Sequence, residues 1–137
     1  MPRGVVSTAL KIGVYLPEDI AEKLIKVKDE KGLSLSRIVQ LALYNYLAEE
    51  EFLRSDNVIA IIGLVYDHSL DHVDVILTDI QHHYLGLVIS ATHIHLDERN
   101  CLLAIFVRGK GGEVAKLFEE LRKVKGVKSA KLMTLLA

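Results

Sequence analysis

The segment Lys11–Leu16 reads as a strand with nothing to pair with. Ile12, Val14 and Leu16 alternate with Lys11, Gly13 and Tyr15, the two-residue period of a pleated strand. No second strand follows. Pro17 opens a helix, and Glu18 and Asp19 occupy its first turn, where the helix dipole favours acids. Ile20, Leu24 and Val27 give that helix an apolar stripe and Gly32 ends it, as a C-terminal glycine commonly does. Ser34 or Ser36 caps a second helix, apolar around most of its girth through Ile38, Leu41, Ala42 and Tyr46, whose strongly helical part ends at Glu49–Glu51. One strand and two helices in roughly 45 residues cannot bury their own apolar surface, and a lone strand leaves both edges open. Both faults vanish when two chains pair, strand against strand and helix over helix. Residues 1–54 are therefore expected to form a ribbon-helix-helix dimer, the plainer alternative being a small helical cap on the next domain.

The pattern changes after Ser55–Asn57, the expected hinge. Val58–Tyr66 reads as a strand, Leu70–Tyr84 as a helix with Val73, Ile76, Leu77 and Ile80 inward, and Leu87–His95 as a strand. Leu96–Asn100 is a polar hairpin turn and Cys101–Val107 a strand. Gly109–Gly112 reads as a loop, Glu113–Lys125 as a helix stopped by Gly126, and Val127–Leu135 as a last strand. The order β-α-β-β-α-β over residues 55–137 predicts a ferredoxin-like, ACT-type domain. The whole chain is thus expected to be α+β. Two helices cover only one face of such a sheet, yet Val88, Ile94, Leu102 and Phe106 alternate with Leu87, Ile89, Leu103 and Ile105. Both faces are apolar, so the open one is expected to pack against another subunit.

Composition narrows the class. With a formal net charge of −1 over 137 residues, any contact with nucleic acid has to come from a local patch or from doubling in an oligomer. The single cysteine, Cys101, cannot form an internal disulfide, and a lone thiol suits a reducing cytoplasm where it is free to act as a ligand. No apolar run is long enough for a membrane helix and the first ten residues do not read as a signal peptide. Nothing pairs a nucleophile with its base or builds a phosphate loop, so no enzyme and no small-molecule substrate is expected.

All six histidines fall between His68 and His95. His93 and His95 are two apart on a strand, so they share a face. A hairpin returns Cys101 beside the strand that carries His95. Two imidazoles and a thiol form a donor set suited to nickel, copper, cobalt or zinc. His68 and His72, beside Asp67 and Asp71, read as solvated groups at a helix start, with a secondary metal site as the alternative, and His83 reads as exposed.

The segment QHHYLGLVISATHIHLDERNCLLAIFVRGKGGEV resembles the metal-binding domain of the nickel-responsive repressors, the NikR family. The family places a histidine after a glutamine at a helix end, then an H-x-H, then a cysteine. Gln81-His82, His93-Ile94-His95 and Cys101 reproduce each spacing, and Val65–His68 and Lys125–Lys128 look like further landmarks. The resemblance implies a four-ligand, roughly square-planar Ni2+ site made of His82, His93, His95 and Cys101, in a homotetramer built as a dimer of dimers. Strand geometry adds that each ion sits between two chains. His82 lies where the strand begins, and His93 is roughly seven residues further on, over about 20 Å at about 3.3 Å per residue, so His82 has to come from a neighbouring subunit.

In this family the paired ribbon reads operator DNA in the major groove. Here its outward face is Lys11, Gly13 and Tyr15, where typical members carry an arginine and two threonines or serines. Lys11 and Tyr15 are the expected ribbon contacts, Arg3 an arm reaching the backbone, and Ser36 and Arg37 a phosphate seat at the second helix. Arg37 and Leu41 stand where the family carries the two carboxylates of a weaker cation site, and Leu103 where it often carries a carboxylate near the metal. The expected function is a nickel-dependent repressor that binds operator double-stranded DNA when loaded. The alternative is a metal sensor of the same fold that has lost sequence-specific DNA binding.

Overall fold

The computed structural model describes residues 8–136, and Arg3 lies outside them. The chain packs as two compact units, Met1–Leu43 and Tyr44–Ala137, divided within a helix. In the first unit, residues 8–17 form no strand, and Ile12 and Val14 are exposed. The expected ribbon is thus not formed within one chain. The physical reason is that a strand exists through its ladder, and this segment's sequence offers it no partner. The helices are as expected. Helix α1 spans Glu18–Lys31, with Gly32 as its C-cap at φ 62°, a left-handed conformation that glycine adopts without strain. Helix α2 spans Leu35–Arg54. Ser34 is its cap, because its Oγ accepts the Arg37 amide at 3.1 Å.

The second unit is a four-stranded antiparallel sheet with two helices against one face. Its strands are β1 (Val58–Asp67), β2 (Val88–His95), β3 (Asn100–Gly109) and β4 (Val127–Leu136), in the order β2-β3-β1-β4. Helices α3 (Val73–His82) and α4 (Gly111–Arg122) complete the split β-α-β arrangement. Burial alternates strictly along β1: Val58, Ala60, Ile62, Leu64 and Tyr66 face the helices. They pack with Val73 and Leu77 of α3 and Val114, Leu117 and Leu121 of α4. The opposite face is apolar and open, with Ile94, Phe106 and Met133 each more than one-third exposed.

Three local expectations need correction. Helix α3 begins at Val73, not Leu70, because His72 has φ 65° and a left-handed residue cannot continue a right-handed helix. Ile76 is 44% exposed and faces away from the core, which Val73, Leu77 and the partly buried Ile80 reach instead. Gly111 belongs to α4 and not to a loop, and close packing is why the residue there is a glycine. A Cβ there would collide with the Phe52 carbonyl oxygen. Phe52, near the end of α2, is 1% exposed and sits in this core, while Ser55 accepts the Gly111 amide at 2.9 Å. The last turn of α2, which lies within the second unit, thus packs into that unit's own core.

Candidate metal centre

The β2–β3 hairpin sets the site. His95 lies opposite Cys101 and His93 opposite Leu103, so all four point to the helix-covered face. The turn between the strands is tightly held. The Asp97 carboxylate accepts the amides of Arg99 and Asn100 at 2.8 and 2.7 Å, and these bonds, with the Asn100 side chain first, pull its pKa down to about 2. Lys128 of β4 donates to the Asn100 side chain at 2.6 Å. The result is that the His95 Nδ1 and the Cys101 Sγ stand 3.2 Å apart.

His68 joins them. Its amide donates to the Arg99 carbonyl at 2.8 Å, one step beyond the Asp67↔Asn100 pair, so the chain leaving β1 stays beside the hairpin turn. The donor atoms of His68, His95 and Cys101 all lie within 4.8 Å of one another, and they are the group of this kind among the described residues. The His68 and His95 rings meet edge to face at 5.6 Å. His68 is therefore a partly exposed group beside His95 and Cys101, the arrangement that the alternative reading of a secondary metal site required. Its position depends on a backbone bond between distant segments, which no spacing in the chain reveals.

His93 stands beside this group, its ring 5.0 Å from that of His95, but its Nε2 is engaged by the Tyr66 hydroxyl at 2.9 Å. Tyr66 in turn donates to Asp74 Oδ1 at 2.6 Å. His82 is exposed at the end of α3 and shares with His93, Tyr66 and Asp74 the lining of a cleft of about 400 Å³. The structure thus brings His95 and Cys101 together, adds His68, and sets His93 and His82 along the adjoining cleft. His72 is exposed at the start of α3. His83 is exposed and lines a separate cleft with Tyr84 and Glu120.

The donor chemistry fits a borderline divalent ion. Cys101 has no exposed surface and no covalent partner. Burial first, then the charges of Asp74 and Asp97, push its thiol pKa up. It stays protonated at neutral pH until a metal displaces the proton. Imidazole and thiolate together select nickel, copper, cobalt or zinc over magnesium or calcium. The side chain of Leu103, 7% exposed, offers no oxygen to the site.

Residues 59–135 match the family description "NikR C terminal nickel binding domain". The chain belongs to the NikR family. A NikR relative from Dictyoglomus turgidum, named a nickel-responsive regulator, is 37% identical over 121 residues, covering 87% of this chain and 90% of that one. Another of that name, from Methanocella arvoryzae, is 36% identical over 128 residues, 91% of each. An uncharacterised protein of solved structure from Thermotoga maritima shares the fold of one part, at TM-score 0.53 and 12% identity over 58% of this chain and 99% of that one. Membership of NikR makes the chain a nickel-binding regulator and not an enzyme. Among the described residues no helix is long and apolar enough to cross a membrane.

On the DNA-facing side, Lys11 and Tyr15 lie in the stretch without secondary structure, and Tyr15 is 90% exposed. Ser36 and Arg37 are exposed in the first turn of α2, which carries no acid. The Arg37 amide is already taken by Ser34, and the Ser36 hydroxyl accepts from Gln40 at 3.4 Å.

Proposed function

We propose that this NikR-family chain is a cytoplasmic, nickel-dependent repressor that binds operator double-stranded DNA when metal-loaded. The observation that carries the reading is the buried thiol of Cys101 set against His95 at a rigid hairpin mouth, in a chain whose relatives are named nickel-responsive regulators. The ligands are His82, His93, His95 and Cys101, with one Ni2+ per subunit shared between subunits. In support, His82 closes α3 at the end of the domain where β2 begins, whereas His95 and Cys101 lie at the far end of β2. Bound nickel supplies a fixed cross-link between elements that carry these side chains.

The assembly is a homotetramer, a dimer of dimers. The open apolar face of the sheet, with Ile94, Phe106 and Met133, favours a second domain packed on it. The exposed Ile12 and Val14 favour a second ribbon. DNA contacts come from Lys11 and Tyr15 on the paired ribbons, Arg3 on the arm, and Ser36 and Arg37 at the start of α2. Coupling between metal and DNA is reciprocal: nickel tightens DNA binding by the factor by which DNA tightens nickel binding.

Gly13 and Tyr15 on the reading face favour one rival, a metal sensor without sequence-specific DNA binding. A gel-shift series at fixed salt, with and without nickel, separates the two. The repressor gives a retarded complex only with nickel and only on its own promoter DNA. Equal retardation with and without nickel, or none at any concentration, overturns the repressor reading.

A further inference from the structure

The hydrogen-bonded chain Asp74–Tyr66–His93 joins three elements, the first turn of α3, the end of β1 and the metal-facing strand β2. Tyr66 is 2% exposed, and its ring lies nearly parallel to that of His93, 23° apart with centroids at 5.9 Å. Its hydroxyl touches Asp74 Oδ1 at 2.6 Å and His93 Nε2 at 2.9 Å.

Donor counting settles the direction of both bonds. A carboxylate only accepts, and a phenol has one hydrogen. Tyr66 therefore gives that hydrogen to Asp74, and its oxygen is left to accept. The atom opposite it, Nε2 of His93, has to carry a proton. A neutral imidazole holds one proton, so its lone pair then resides on Nδ1. Only a nitrogen with a free lone pair can bind a metal ion.

We infer that Tyr66 and Asp74 are positioning residues that hold His93 as its Nε2–H tautomer and so make Nδ1 the nitrogen offered to the metal. The carboxylate acts on the imidazole through the phenol, the way a histidine ligand's second nitrogen is commonly anchored by an oxygen acceptor. The same chain ties α3, which ends in His82, to the strand carrying His93, and both histidines line one cleft. Helix and strand are thereby held in one arrangement within the subunit. The tautomer itself is a property of the metal-free chain. Only its consequence for affinity rests on the nickel reading above.

The test uses the full-length, metal-free protein labelled with nitrogen-15 in histidine, and His93→Gln assigns the His93 signals. Long-range proton–nitrogen correlation spectra report which ring nitrogen is protonated. In the wild type, His93 is expected to be protonated on Nε2 alone. In Tyr66→Phe, which keeps the stacked ring and removes the hydroxyl, both tautomers are expected to appear. In Asp74→Leu the same mixture is expected. Asp74→Asn, whose amide oxygen still accepts from the phenol, is expected to restore the single tautomer. Competition titrations with Ni2+ alone are expected to show about 10- to 100-fold weaker binding for Tyr66→Phe, with Asp74→Asn within a few-fold of wild type. A merely structural Tyr66 would lower the melting temperature of Tyr66→Phe and leave the His93 tautomer unchanged, and that result overturns the inference. So does a wild-type His93 protonated on Nδ1, a measurement that needs no variant to fold. Wild-type protein that binds no nickel while showing the expected tautomer would overturn the function proposed above and leave this inference standing.

Discussion

Cys101→Ser separates the thiolate's part in metal binding from that of every other group. The thiol is fully buried, 3.2 Å from His95 Nδ1, and its pKa is raised. The metal-free chain therefore holds a neutral thiol at neutral pH, and loading has to expel one proton. Below the thiol pKa each pH unit then changes the apparent affinity tenfold, about 1.36 kcal/mol. From pH 6.5 to 8.0 the thiol alone gives about a 30-fold gain, or about 2 kcal/mol. A serine hydroxyl does not ionise in this range, so the variant keeps only the pH dependence of the other groups. Competition titrations with nickel at a series of pH values give both slopes, and the wild type is expected to exceed the variant by one decade per unit. The charge-transfer absorption of the thiolate is expected to vanish in the variant, together with most of the affinity. The sign reverses for the metal-free fold. A raised folded pKa stabilises the fold below the unfolded thiol's pKa, and that contribution is lost as pH rises through the folded value. Parallel slopes in the two proteins would show that Cys101 is a core residue and not a ligand.

Three further outcomes are expected. Phe52→Ala removes a side chain 1% exposed in the core of the sheet domain and should cost about 3–5 kcal/mol in urea unfolding; a cost below about 1 kcal/mol would mean that the last turn of α2 does not pack into that core. Chains carrying His82→Ala mixed with chains carrying His93→Ala, each inactive alone, should recover part of the nickel binding in verified mixed tetramers, since each shared site would draw its good half from each chain. Failure to recover any would place the whole ligand set within one chain. Lys11→Ala should weaken operator binding by about 1–3 kcal/mol at fixed salt with nickel affinity unchanged, as measured by fluorescence anisotropy, whereas unchanged DNA binding would remove the ribbon from the reading surface.

Periodicity, breakers and ligand chemistry were enough to read the element order from the first helix onward, because they are local properties of the chain. Gly32 as a helix end, the Leu96–Asn100 hairpin and the pairing of His95 with Cys101 all follow from neighbours within a few residues. The family, too, was legible, since the H-x-H and the cysteine carry the metal chemistry at fixed spacing. What the chain alone could not reveal was anything made by segments far apart. His68 reaches the thiol because its amide continues a ladder with Arg99, and β1 and β3 have to be paired before that bond exists. The Tyr66 hydroxyl meets His93 only because β1 and β2 flank β3 while α3 brings Asp74 alongside. Gly111 reads as a loop residue until the Phe52 carbonyl is seen to leave no room for a side chain. The strand expected at Lys11–Leu16 marks the same boundary from the other side. Its alternation is written in the sequence, but a strand is a hydrogen-bonded pair, and among the described residues of one chain residues 8–17 have no pairing partner.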